Sequence, residues 1–143
     1  MILNLRIKQI SPAGADWLSH YLSTVEARDP ESVISLFRDN AIVQINDGVP
    51  VQSHTAVRGL FQRYFANFEH VEHEVLNAYG SETELVAETL CHYTLASSGK
   101  RITLPGVTIY ERDDDGLIIS MRIYMGFVGM FEAFDAAAAT VPA

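Results

Sequence analysis

The apolar residues of this chain change period partway along it, and that change limits the possible folds more than any other feature. Up to Phe68 they recur every three or four residues, as on one face of a helix; from Val71 onward they alternate, as on one face of a strand. Ser11-Pro12 has the N-cap and first-turn chemistry of a helix start, and Trp17, Leu18, Tyr21 and Val25 follow at a 3.6 period. Asp29-Pro30-Glu31 repeats that signal for a short second helix through Val33, Ile34 and Phe37, which Asp39-Asn40 is expected to stop. Ala41 to Ile45 reads as a strand turning at Asn46-Asp47-Gly48, with Val49 to Gln52 pairing back. Val57, Leu60, Phe61, Tyr64, Phe65 and Phe68 then share one face of a third helix from His54 to Phe68.

The alternating half divides into four strands, Val71 to Tyr79, Leu85 to Ala96, Arg101 to Arg112 and Leu117 to Phe127. Turn-forming residues separate them at Gly80-Ser81, Ser97-Ser98-Gly99-Lys100 and Asp113-Asp114-Asp115-Gly116, the last two reading as hairpins. Helices first and antiparallel strands afterwards is an α+β pattern, with the helices on one face of a bent sheet. At 143 residues, 48% of them apolar, the chain is long enough to bury about two-thirds of its unfolded surface without a disulfide or metal staple. One domain over 1–143 is expected, with its core at about 11–132 and a frayed tail at 133–143.

Charge and motif content exclude several classes of function. Ten Lys and Arg against 18 Asp and Glu give a net charge of -8, which repels a phosphate backbone and an anionic membrane surface alike. No stretch approaches the roughly 20 apolar residues of a membrane span. The opening MILNLRIKQI is too interrupted for an export signal, and Cys91 is the single cysteine, so the cytoplasm is the expected compartment. No glycine motif cradles a phosphate and no His, Cys and carboxylate set converges, so neither cofactor nor metal is expected. His70 and His73, three apart on a strand, face opposite ways.

Strand parity sorts the remaining candidates. Leu85, Ala87, Thr89, Cys91, Tyr93 and Leu95 are assigned inward, as are Ile102, Leu104, Gly106, Thr108 and Tyr110. Leu117, Ile119, Met121, Ile123, Met125 and Phe127 are assigned inward on the last strand, and Val71, His73, Val75 and Asn77 on the first. Buried hydroxyls need partners, which backbone, trapped water or a guest molecule in a cavity would each supply. On the outer face Leu90, His92, Thr94, Val107, Ile109, Arg122 and Tyr124 form a partly apolar surface of the kind that meets a partner.

The stretches FRDNAIVQINDG (Phe37 to Gly48), VRGLFQRYF and YERDDDGLIISMRIYM resemble SnoaL-like proteins of the nuclear transport factor 2-like superfamily, over about Asp16 to Phe131. The resemblance implies a cone-shaped α+β barrel, with three N-terminal helices packed on a strongly bent, mostly antiparallel sheet. It also implies homodimerisation through the outer sheet face. Relatives include ketosteroid isomerases, dehydratases, a dehydrochlorinase and epoxide hydrolases. Tyr21 matches the isomerases' oxyanion-donor tyrosine, but their two carboxyls fall on Ile45 and Thr108, and an alkyl group cannot abstract a proton, which excludes that route. His73 matches the base histidine of the dehydratases and the dehydrochlorinase, and its spacing to Asn77 resembles the latter's. The dehydrochlorinase's orienting aspartate falls on His20, so an orienting carboxylate would have to come from Asp16, one turn away, or from another acid; the epoxide hydrolases' last-strand aspartate falls on Ile123, and an aspartate ending that strand in many relatives falls on Gly126.

The expectation is a pocket for a small apolar, cyclic or aromatic compound, with cofactor-free lyase or isomerase chemistry by proton transfer. His73 would be the base and Tyr21 the oxyanion donor. Trp17, His20, Val25, Ile45, Leu60, Tyr64, Asn77, Cys91, Tyr93, Thr108, Tyr110, Met121, Ile123 and Met125 would contact the ligand. Two alternatives stand beside it: a non-catalytic module that binds a hydrophobic ligand, and a dimerisation domain with a filled core.

Overall fold

A computed structural model describes residues 2–3 and 9–126; Phe127 and the expected tail at 133–143 lie outside the described residues. The elements run β1 (Ile2–Leu3), α1 (Pro12–Glu26), α2 (Pro30–Ile34), β2 (Phe37–Ile45), α3 (His54–Asn67), β3 (Phe68–Gly80), β4 (Glu84–Leu95), β5 (Arg101–Arg112) and β6 (Ile118–Met125). Each helix begins on a hydroxyl or carboxylate cap. Ser11 accepts from the Gly14 N–H, Asp29 from Glu31 and Ser53 from Ala56, each satisfying a donor that the first turn leaves without a partner.

One sheet carries the strands in the order β1-β3-β4-β5-β6-β2, antiparallel from β3 through β6, with β1 parallel to β3 and β2 parallel to β6. The three helices pack on its concave side, giving the cone-shaped α+β fold. Their apolar stripes and the inner strand positions make the main core, which includes Leu18, Val25, Phe37, Val57, Phe61, Val75 and Ile118. Phe68, Val71, Cys91, Tyr93, Leu95 and Leu104 make a second cluster toward the other end. Gly80 (φ 107°) turns β3 into β4, where a Cβ would lie 2.1 Å from the Glu84 carbonyl oxygen; glycine alone fits there.

The inward assignments on β4 hold throughout, and on β5 the buried positions are Leu104, Gly106 and Tyr110, with Ile102 and Thr108 half-buried. Elsewhere the register breaks the simple alternation. Asp39-Asn40 does not end α2, which stops at Ile34; the chain is already strand by Phe37, whose ring packs on Tyr21 and Phe61. A register shift between Phe37 and Ile42 lies there, and Arg38 ties it to Asp113 and Asp115 of the β5–β6 hairpin. Val49 to Gln52 pairs back only at Val51, through two 2.9 Å hydrogen bonds with Val43. On β6 the inward positions are Ile118, Met121, Ile123 and Met125, so the assignment holds from Met121 to Met125 but not at Leu117 or Ile119. A shift between Glu111 and Arg112, together with the parallel pairing of Ile118 with Phe37, turns Ile118 into the core and leaves Ile119 39% exposed. A comparable shift between Val75 and Asn77 in β3 buries Ala78 and sends Asn77 outward, where its amide donates to Glu88 Oε1 at 3.3 Å.

Candidate functional site

The concave side of the sheet is not filled. A cavity of about 120 Å³ lies between α1, α3 and the inner strand faces. Tyr21, Leu22 and Val25 of α1 and Leu60, Phe61 and Tyr64 of α3 form its roof. The strands supply His73, Thr89, Cys91, Tyr93, Gly106, Thr108 and Tyr110, and Ile45, Met121, Ile123 and Met125 close the far wall. Gly106 leaves a bare patch of that wall, where a Cβ would meet Met125 Cγ at 3.3 Å and Thr89 Oγ1 at 3.5 Å. A cavity this size holds several waters, or one guest near the size of a six-membered ring.

His73 sits in the cavity wall with 7% of its surface exposed, held inward by β3 parity ahead of the register shift. Its Nδ1 faces Glu26 Oε2 at 3.5 Å, longer than a well-made hydrogen bond, and the same oxygen accepts the His73 backbone N–H at 3.2 Å. Burial raises the Glu26 carboxyl, but the hydrogen bonds it accepts, those of His73 among them, outweigh that and hold it below its ordinary value. A carboxylate therefore stands behind the imidazole. Nε2 makes no hydrogen bond to another described residue, and the ring lines the cavity. The acid is not at His20, which is exposed, nor at Asp16, also exposed; it comes from the last turn of α1. Leu22, Val25 and Glu26 share one helix face at i, i+3 and i+4, a spacing visible in the sequence that identifies Glu26 as the acid facing the sheet.

Four phenols converge on the same space. Tyr21 donates to Met121 Sδ at 3.2 Å and Tyr64 to Tyr93 at 2.8 Å. Burial pushes Tyr21, Tyr64, Tyr93 and Tyr110 well up, with mutual repulsion adding to it for Tyr21, so all four keep their protons at any working pH and act as donors. Burial also pushes the Cys91 thiol up, which keeps it protonated.

Of the sequence-derived contacts, Trp17, His20 and Asn77 do not reach the cavity. Trp17 backs it instead, stacked on Tyr21 at 5.4 Å and edge-on to Tyr110 at 5.2 Å, with Arg112 over its other side. His20 points to solvent because the 3.6 period places it away from the Tyr21–Val25 stripe, and Asn77 follows the β3 register shift. The other named positions line the cavity, joined by Leu22, Phe61, Thr89 and Gly106. No group of three metal-binding side chains occurs among the described residues.

With this geometry in view, the comparisons are informative. A model of the SnoaL-like domain matches residues 18–121. The chain belongs to the SnoaL-like family. Among solved structures, a putative SnoaL-like polyketide cyclase from Shewanella denitrificans OS-217 superposes with a TM-score of 0.76 at 12% identity, covering 88% of this chain and 99% of that one. A hypothetical protein with a ketosteroid isomerase-like fold from Catenulispora acidiphila DSM 44928, in complex with trimethylamine, gives 0.74 at 15% identity over 89% and 98% of the two chains. An epoxide hydrolase from M. tuberculosis gives 0.69 at 14% identity over 89% and 92%. No curated protein matches. At these identities the SnoaL-like likeness fixes the fold and leaves the chemistry to this chain's own residues.

Proposed function

We propose that this SnoaL-like protein binds a small, mostly apolar compound in the cavity and moves a proton on it without a cofactor, as a lyase or isomerase. The observation that carries this reading is His73, an imidazole in the cavity wall with a carboxylate behind Nδ1 and its Nε2 available to the guest. In the reaction Nε2 takes a proton from a carbon beside a carbonyl. The electron pair of the broken C–H bond moves onto the carbonyl oxygen, which takes a hydrogen bond from Tyr21 in place of Met121 Sδ. The imidazolium, steadied by Glu26, then returns the proton to another carbon or to a departing oxygen. Thermal-shift screening of one-ring compounds, followed by turnover assays on the hits, tests this. His73→Ala should abolish turnover with binding nearly intact; turnover at full rate in that variant rules His73 out as the base. Hits that bind tightly and never turn over, in wild type or variant, would favour the ligand-carrier reading instead.

We also propose a homodimer through the outer sheet face, supported by half-buried Val107 and Ile109 beside Tyr124, which is 47% exposed. Light scattering at tens of micromolar should give twice the chain mass; a monomer would end this proposal. No helix among the described residues is long and apolar enough to cross a membrane. The cytoplasm is the proposed compartment, on the strength of the single, unpaired cysteine.

A further inference from the structure

Two of the phenol protons in the cavity, those of Tyr21 and Tyr93, have no oxygen acceptor among the described residues. The Tyr21 proton goes to a thioether, Met121 Sδ. Tyr64 and Tyr93 share a single hydrogen bond, and two hydroxyls joined by one bond carry two protons, so the Tyr93 proton is left over. The group beside it is the Cys91 thiol, whose sulfur is the acceptor left to that proton and is itself in contact with Thr89 Oγ1 at 3.5 Å.

Two phenol protons are thus held against sulfur, a weak acceptor that any carbonyl or hydroxyl oxygen outcompetes. They lie at different levels of the bent sheet. Met121 pairs with Tyr110, and Tyr110 with Leu85 near the start of β4, whereas Cys91 pairs with His73 and Tyr93 lies beyond it toward the other end of β4. The imidazole stands on the wall between the two donors.

We propose that the guest carries two oxygen acceptors, one received by Tyr21 and the other by the Tyr64–Tyr93 pair, on a frame no larger than about one six-membered ring: a small dione, hydroxyketone or keto ester. This rests on the guest-cavity reading above and narrows it. Sulfur keeps both donors oriented in the empty protein without committing them, so each is released to oxygen at little cost. The cavity volume of about 120 Å³ suits a frame of that size.

The test is calorimetric titration of the intact protein with methylcyclohexane, cyclohexanone, cyclohexane-1,2-dione and cyclohexane-1,4-dione. At least one dione should bind about five- to tenfold more tightly than cyclohexanone, the gain expected for one further hydrogen bond. Tyr21→Phe and Tyr93→Phe should each remove that gain. Cys91→Ser, which sets an oxygen beside Tyr93 in the empty cavity, should shrink it and guards against a Tyr93→Phe variant that fails to fold. Diones binding no better than cyclohexanone, or gaining equally in all three variants, would overturn the two-oxygen inference while leaving the guest cavity standing. Binding by none of the four would overturn both.

Discussion

The two faces of the same strands handle polar side chains in opposite ways. On the outer face, polar groups satisfy one another across strands: His92 bridges Glu74 at 3.1 Å and Thr103 at 2.8 Å, and Arg122 reaches Glu111 at 3.0 Å. On the inner face the Tyr21 phenol leans on a sulfur and the imidazole stands off its carboxylate at 3.5 Å. A folded protein closes nearly all of its buried hydrogen bonds, so the loosely met groups of the inner face are the ones that the proposed guest would complete. The outer face carries solvent-facing pairs worth little individually; the inner one is where a substitution should be felt.

The comparison can be broken by mutation, beginning where the effect is greatest. Phe37→Ala removes a ring that is 2% exposed and packed on both Tyr21 and Phe61, and should cost about 3–5 kcal/mol in urea unfolding. A loss below 1 kcal/mol would mean that the cavity roof is not anchored through this ring. His73→Ala should lower turnover of any substrate by about 100-fold or more with the melting temperature little changed. For Glu26→Gln the readout is pH. Its carboxyl is held below the ordinary glutamate value of 4.5, so the folded form favours the ionised state; that contribution is present above this value and is lost as pH falls through the lowered one. Acid unfolding of the variant should therefore depend less on pH over that range than in wild type, and an unchanged profile would show that Glu26 contributes nothing there. Arg122→Ala, on the outer face with both partners 37% exposed, should shift stability by less than about 1 kcal/mol and leave ligand affinity untouched.

Much of this contrast was legible in the sequence, and the exceptions have local causes. The caps at Ser11 and Asp29 and the strict alternation of β4 follow from neighbouring residues alone, and the structure reproduces them. Asn77, Leu117 and Ile119 depart from simple alternation because one extra residue in a strand reverses the facing of the residues on one side of it, and such a shift depends on the partner strand rather than on the segment itself. The parallel strands β1 and β2 at the sheet edges owe their pairing to contacts distant in sequence. Glu26 is a different case: the resemblance implies a carboxylate at the position of His20, whereas the carboxylate that faces His73 comes from a helical position about one and two-thirds turns further on.

The most direct check is a crystal structure of the protein soaked with cyclohexanone. The ring should occupy the cavity between α1 and β4–β6, with its carbonyl oxygen within hydrogen-bond distance of the Tyr21 hydroxyl and a ring carbon against His73 Nε2. Side chains collapsed into that space, or a ketone bound only elsewhere with Tyr21 still donating to Met121, would contradict it.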